Sequence, residues 1–205
     1  MYSHIRTFPL GKLCASHRGA LAHGCAISHL FGKKFAQMLE LAQKFCDIIF
    51  HMKITLCGSI GFYKEMECAR DRLLKLGYKV KIPELTLEVP KEFGGGKKVY
   101  FGKYIEENGG IDAFSVGHKI WNLKESAIRD HYEKINWADA ILVINHEKRG
   151  IAGYIGGNTL IEIGVAFYLK KPIYILNPVS SELSYKQEIL GMKPVVLNGN
   201  LDLIK

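Results

Sequence analysis

Met52-Lys53-Ile54-Thr55-Leu56-Cys57-Gly58-Ser59-Ile60-Gly61 decides how this chain is read. The apolar run Ile54 to Cys57 is too short for a helix, and it ends in a glycine turn. Beyond the turn, Met66, Ala69, Leu73 and Leu76 recur at helical spacing until Gly77 stops them. The unit is strand, glycine turn, helix. Working outward, Tyr78 to Ile82 is a second strand closed by Pro83, and Leu123 to Trp137 is a helix with Ala127, Ile128 and Ile135 facing inward. Ala140 to Asn145 is a third strand, uninterruptedly apolar before its last residue, as a strand covered on both faces should be. Thr159 to Leu169 is a helix, Pro172 to Leu176 a fourth strand, Tyr185 to Leu190 a short helix and Pro194 to Leu197 a fifth strand. Alternating strands and helices predict one open, doubly wound α/β domain with a five-stranded parallel sheet, Rossmann- or flavodoxin-like. Residues 84–123 interrupt the alternation with two glycine clusters and a polar composition, and are expected to form a surface excursion that covers a site.

Upstream of Met52 the character changes. Residues 1–51 hold five of the eight histidines, three of the five cysteines and no acid before Glu40. Only Lys34 to Phe50 has helical spacing. The expectation is a non-core N-terminal extension over 1–51 that stands outside the native product, and a working domain over 52–205. The formal charge of +8 divides evenly, +4 on each side of Met52, and no Lys/Arg cluster with interleaved aromatics appears in the domain. Nucleic acid is therefore not the expected partner; anionic small molecules account for the charge equally well. No apolar run approaches the roughly 20 residues of a membrane helix. Cys14, Cys25, Cys46, Cys57 and Cys68 form no C-x-x-C pair, so free thiols, a cytoplasmic location and no metal site are expected.

Open α/β sheets bind ligands beyond the carboxyl ends of their strands. Gly58-Ser59-Ile60-Gly61, Asn145-His146 and Asn177 stand at those ends and should converge on one cleft. The glycine turn is suited to a phosphate or sugar oxygen at a helix N-terminus, although it is too short for G-x-G-x-x-G and lacks the Walker lysine. The other informative stretch runs from Gly150 through Gly156-Gly157-Asn158-Thr159-Leu160-Ile161-Glu162-Ile163-Gly164-Val165-Ala166. A glycine-rich loop feeds a helix in which Glu162 has apolar neighbours at the mouth of the cleft. Two readings of Glu162 stand side by side: a functional carboxylate, or a partner for the first turn of a helix capped by Asn158 or Thr159. Gly164 favours the first, since it would let a ligand or backbone approach.

Cys57-Gly58-Ser59 closing a strand, Ala138-Asp139-Ala140-Ile141-Leu142-Val143 and then Glu162-Ile163-Gly164-Val165-Ala166 resemble the nucleoside 2-deoxyribosyltransferase superfamily, which includes the 2'-deoxynucleoside 5'-phosphate N-hydrolases. The resemblance spans Met52 to about Leu197. It implies cleavage or transfer of an N-glycosidic bond, with Glu162 as the nucleophile on the anomeric carbon. Members carry an aspartate eight residues before the strand acid; counting back from Asp139 gives His131, with Asp130 adjacent, so both are candidate catalytic residues. The position six before the nucleophile, an acid or serine in the relatives, is Gly156. Gly58, Ser59, Ile60, Gly61, Asn145, Gly156, Gly157 and Asn158 are the candidate substrate-binding residues.

The same stretch, Gly156 to Glu162, is similar to the Gly-Gly-x-Gly-Thr-x-x-Glu motif of cytokinin-activating phosphoribohydrolases, with one motif glycine absent. A third reading is a non-catalytic nucleotide sensor in which Glu162 binds ribose hydroxyls. The resemblance implies no cofactor, a small nucleoside or nucleotide substrate and a homodimer or higher even oligomer. Ile60, Phe62, Tyr63 and Pro194 to Leu197 are the apolar material expected at the subunit contact.

Overall fold

The computed structural model describes Met38, Glu40, Leu41, residues 52–89, Lys91, Gly96 and residues 98–205. The chain divides into two units, Met1–Asp47 and Ile48–Lys205. The helix expected over 34–50 lies outside the described residues except for Met38, Glu40 and Leu41, which are helical.

In the larger unit all five expected core strands form. They are β1 (Lys53–Gly58), β2 (Lys79–Lys81), β5 (Ala140–Ile144), β6 (Ile173–Ile175) and β7 (Val195–Val196). Every pairing is parallel and the order is β2-β1-β5-β6-β7. The order reverses between β1 and β5, which places a crevice beyond their carboxyl ends. Between β2 and β5 the excursion contributes β3 (Leu87–Glu88) and β4 (Lys98–Val99), an antiparallel pair.

The helices are α1 (Tyr63–Lys75), α2 (Phe101–Glu107), α3 (Trp121–Trp137), α4 (Gly157–Tyr168) and α5 (Lys186–Gly191). Strand alternation splits the interior into two apolar layers. Ile54 and Leu56 of β1 and Leu142 and Ile144 of β5 pack with Met66 and Leu73 of α1, and with Leu201 and Ile204 near the C-terminus. On the opposite face Cys57, Ile141, Val143 and Ile175 meet Ile135 of α3, Ile163 and Ala166 of α4 and Ile189 of α5. Burying each such side chain contributes about 1.5–3 kcal/mol.

Asp139 works at the amino end of the sheet, far from the crevice. Its carboxylate accepts the Lys53 N–H at 2.8 Å and its own N–H donates to the Lys53 carbonyl at 2.8 Å, fixing where β1 and β5 start. Lys171 holds α3 at its carboxyl end, donating from Nζ to the carbonyls of Ile135, Asn136 and Ala138. Carbonyls left over at a helix terminus need such partners.

Two expectations for a subunit contact fail here. Phe62 and Leu197 are core residues, because the turn after β1 and the end of β7 both roll inward over the α1 layer. No described helix is long and apolar enough to cross a membrane.

Candidate active site

A cleft of about 660 Å³ opens beyond β1. Its floor is Gly58 and Ser59; α3 and the start of α4 form one wall, and Tyr100 and Phe101 from the excursion form another. The excursion thus flanks the cleft, as its composition suggested. It is tied down where Lys134 Nζ donates to the Ile82 carbonyl at 3.1 Å and to Glu84 Oε1 at 2.8 Å.

Gly58 permits the closest approach in the floor. A Cβ there would sit 2.7 Å from the Ile144 carbonyl oxygen and 2.9 Å from Met66 Cε, and φ is +155°. Ser59 caps a single 3-10 turn, Ile60–Phe62, its Oγ accepting the Gly61 N–H at 3.3 Å. Lys148 Nζ donates to the same Oγ at 2.7 Å. The sequence reading missed this lysine, which three residues of loop carry back from Asn145 toward β1.

Glu162 lies in the second turn of α4. The helix begins at Gly157, capped by the Gly156 backbone without a side-chain hydrogen bond, and its first turn holds no acid. The capping reading of Glu162, and the expectation that Asn158 or Thr159 is the N-cap, are both overturned. The helix starts at Gly157, two residues earlier than the sequence suggests, and this places Glu162 in its second turn. Gly164 is not explained by a close approach, since a Cβ there would meet nothing within 4 Å.

The Glu162 side chain is only 13% exposed, and its Oε1 lies 3.7 Å from His131 Nε2. The Cys57 thiol and the Gly58 backbone N–H favour the ionised form of its carboxyl group. Oε2 is buried without a partner among the described residues, as is His131 Nδ1. Burial pushes the Glu162 carboxyl up to about 8; Cys57, Gly58 and the Lys124 ammonium pull the other way. Burial, and secondarily Lys134, lowers His131 to about 4. At neutral pH the His131–Glu162 contact is therefore between a neutral imidazole and a largely protonated carboxyl, not an ion pair.

Of the two candidates on α3, the structure brings His131 to Glu162. Asp130 is exposed on the cleft rim, about 100° further round the helix. Lys124, Ile128 and His131 share a face at i, i+4 and i+7 and all line the cleft, a periodicity present in the sequence but passed over for Lys124.

Asn145 does not reach the cleft. It is fully buried, with Nδ2 donating to the Asn177 carbonyl at 2.9 Å and to the Gly153 carbonyl at 3.4 Å, and Oδ1 accepting the Asn177 N–H at 2.8 Å. Asn177 returns a bond to the Asn145 carbonyl at 3.0 Å. The two amides staple β5 to β6, on the far side of the switch point, so their expected part in the cleft is corrected. Gly61 also stays off the cleft wall, held under Ser59, whereas Ile60, Gly156, Gly157 and Asn158 line it. A Cβ at position 156 would stand 3.4 Å from the Tyr154 hydroxyl, so that phenol occupies the space beside Gly156.

No protein-family model and no curated protein matches the chain. Solved structures do. The 2-deoxyribosyltransferase of Bacillus psychrosaccharolyticus is similar at 20% identity and a TM-score of 0.42, over 68% of this chain and 81% of that one. The CMP N-glycosidase BcmB of Clostridium botulinum is similar at 14% identity and a TM-score of 0.35, over 71% of this chain and 89% of that one.

Proposed function

We propose that this chain cleaves or transfers the N-glycosidic bond of a nucleoside, deoxynucleoside or nucleoside 5'-monophosphate, with Glu162 as nucleophile. The observation that carries the reading is the Glu162 carboxyl group itself. It is withdrawn from water on the wall of a cleft at the sheet's switch point, with Oε2 unpartnered. Nothing among the described residues hydrogen-bonds Oε2, so a carboxylate so placed keeps a free lone pair at the cleft that Glu162 lines. Attack on C1' forms an ester bond to the sugar as the C1'–N bond breaks and its electrons leave with the base. Water then opens the ester to release the sugar, or a second base takes it up. Desolvation makes the ionised carboxylate more reactive, and the Gly58 N–H and Lys124 favour that ionised form.

Around this carboxyl the other roles follow from position. Tyr100 and Phe101 offer aromatic faces for a base across the cleft from α4. Lys148 and Ser59 offer a cation and a hydroxyl where a 5'-phosphate would lie. Neutral His131 is a positioning residue that limits how Oε1 can turn. The phosphoribohydrolase reading uses the same glutamate and the same bond, and the sensor reading uses the same cleft without turnover.

Incubation of the purified protein with deoxynucleosides, ribonucleosides and their 5'-monophosphates, with and without a second free base, tests the proposal. Release of free base supports it, and a new nucleoside in the two-base samples identifies transfer. Tight binding of these compounds with no bond cleavage would replace it with the sensor reading.

A further inference from the structure

Cys57 on β1, His131 on α3 and Glu162 on α4 place a sulfur, an imidazole nitrogen and a carboxylate oxygen within 4.8 Å of one another. They are the group of this kind among the described residues, and no two of them come from one element. C-x-x-C spacing, on whose absence no metal was expected, marks sites built within one segment; a trio assembled from three elements leaves no such trace.

The separations fit a tetrahedral ion. Zinc bonds of about 2.3 Å to sulfur and about 2.0–2.1 Å to nitrogen or oxygen, opened at the tetrahedral angle, put sulfur and nitrogen about 3.5 Å apart and nitrogen and oxygen about 3.4 Å apart. Cys57 Sγ lies 3.6 Å from His131 Nε2, and His131 Nε2 lies 3.7 Å from Glu162 Oε1. Both separations are within a few tenths of an ångström of those values, and all three donor atoms lie within 4.8 Å of one another. Charge balances too: a thiolate and a carboxylate neutralise a divalent ion, and neutral imidazole adds a lone pair. A neutral assembly avoids the cost of a bare charge beside the apolar layer containing Cys57, Ile135 and Ile163. The fourth position would face the cleft, which His131 and Glu162 line.

We propose that Cys57, His131 and Glu162 bind one thiophilic divalent cation of the zinc class in the wall of the cleft, and that the bound ion inhibits the enzyme by occupying the nucleophile. On binding, Cys57 gives its thiol proton and Glu162 its carboxyl proton to solvent, Nε2 of His131 donates its lone pair, and Glu162 binds through a carboxylate oxygen. Coordination draws electron density from the whole carboxylate, and the cation beside it opposes the positive charge that develops at C1'. Soft sulfur with imidazole selects zinc over magnesium or calcium. The inhibitory half rests on Glu162 being the nucleophile; the binding half does not.

The test uses the full chain, reduced with a phosphine and titrated with cobalt(II), whose bond to a thiolate gives a near-ultraviolet charge-transfer band without any need for turnover. One equivalent is expected to develop the band, and zinc, which binds more tightly, is expected to bleach it. Cys57→Ala should abolish it. Glu162→Gln should weaken cobalt binding by more than the roughly 10- to 100-fold that loss of an outer contact causes. Circular dichroism checks that each variant is folded; if Cys57→Ala is not, Glu162→Gln decides, and unchanged affinity there overturns the site. A wild type without the band, or a band surviving in folded Cys57→Ala, also overturns it, since Cys14, Cys25, Cys46 and Cys68 would then be the ligands or nothing would be.

The two proposals separate cleanly. Base release that zinc does not inhibit, with no Cys57-dependent band, removes this inference and leaves the glycosidase. A Cys57-dependent band in a protein that cleaves no nucleoside keeps the metal site and removes the glycosidase.

Discussion

His131 Nε2 stands 3.7 Å from Glu162 Oε1, and neither side chain has more than a small edge in solvent. Neither has the ordinary role of its type: Glu162 lies past the first turn of α4, and His131 Nδ1 has no partner among the described residues. Together, at the end of β1, they make a buried pair that folding must desolvate without an ion pair in return.

Glu162→Gln keeps the volume and most hydrogen bonding of the side chain while removing the attacking charge. Turnover should fall by at least about a thousandfold, with substrate still bound in equilibrium dialysis. Near-normal rates would return Glu162 to a structural role.

The Glu162 carboxyl, raised to about 8 by burial, gives the activity a signed pH dependence. Attack needs the ionised form, so kcat/KM should climb from pH 6 and level off above about 8. A profile falling over that range would assign Glu162 as an acid. Stability moves oppositely. A carboxyl raised in the fold contributes stability below its unfolded value of 4.5 that is lost as pH rises through about 8. His131, lowered to about 4, contributes stability above its ordinary 6.5 that is lost as pH falls through about 4. The two slopes oppose each other between 4.5 and 6.5, leaving Glu162 alone from 6.5 to 8. Over that upper window Glu162→Gln should gain thermal midpoint relative to the wild type.

Lys148 and Ser59, 2.7 Å apart, should favour a 5'-monophosphate over the bare nucleoside. Replacing Lys148 by Met removes a charge-assisted hydrogen bond worth about 1.5–3 kcal/mol, or roughly ten- to a hundredfold in KM for the monophosphate. The bare nucleoside should be unaffected. Equal losses on both substrates would place the phosphate elsewhere.

Two glycines should respond oppositely to alanine. At Gly153, with φ of +67°, a Cβ would fall 2.0 Å from the Pro178 carbonyl oxygen, so Gly153→Ala should destabilise by more than the roughly 1 kcal/mol of a typical substitution. Gly164 sits inside α4 with open space before it, and Gly164→Ala should stabilise by about 0.5–1 kcal/mol. Urea midpoints measure both.

For assembly we propose a homodimer closed over α4, whose Ile161, Phe167 and Tyr168 are 54%, 53% and 83% exposed. Light scattering should return twice the 23.1 kDa chain mass, and Tyr168→Glu should shift it toward one. A chain beginning at Met52 should match the full chain in thermal midpoint if residues 1–51 lie outside the working fold; a loss of several degrees would make them structural.

The sequence by itself determined the strands, their parallel arrangement and the end of the sheet that carries the cleft. Short apolar runs closed by glycine, such as Ile54 to Gly58, are set by local periodicity and turn chemistry, which a linear reading captures. The same reading picked out Glu162, because a lone acid among Ile161, Ile163 and Val165 is conspicuous in one dimension. Only the tertiary structure chose between Asp130 and His131, since one residue of helix turns a side chain by about 100° and the register of α3 against β1 decides which faces inward. It also took Asn145 out of the cleft, gave Lys148 a place beside Ser59 and set Cys57 against His131. Those contacts join residues 32 to 89 positions apart, and packing rather than periodicity fixes which of them meet.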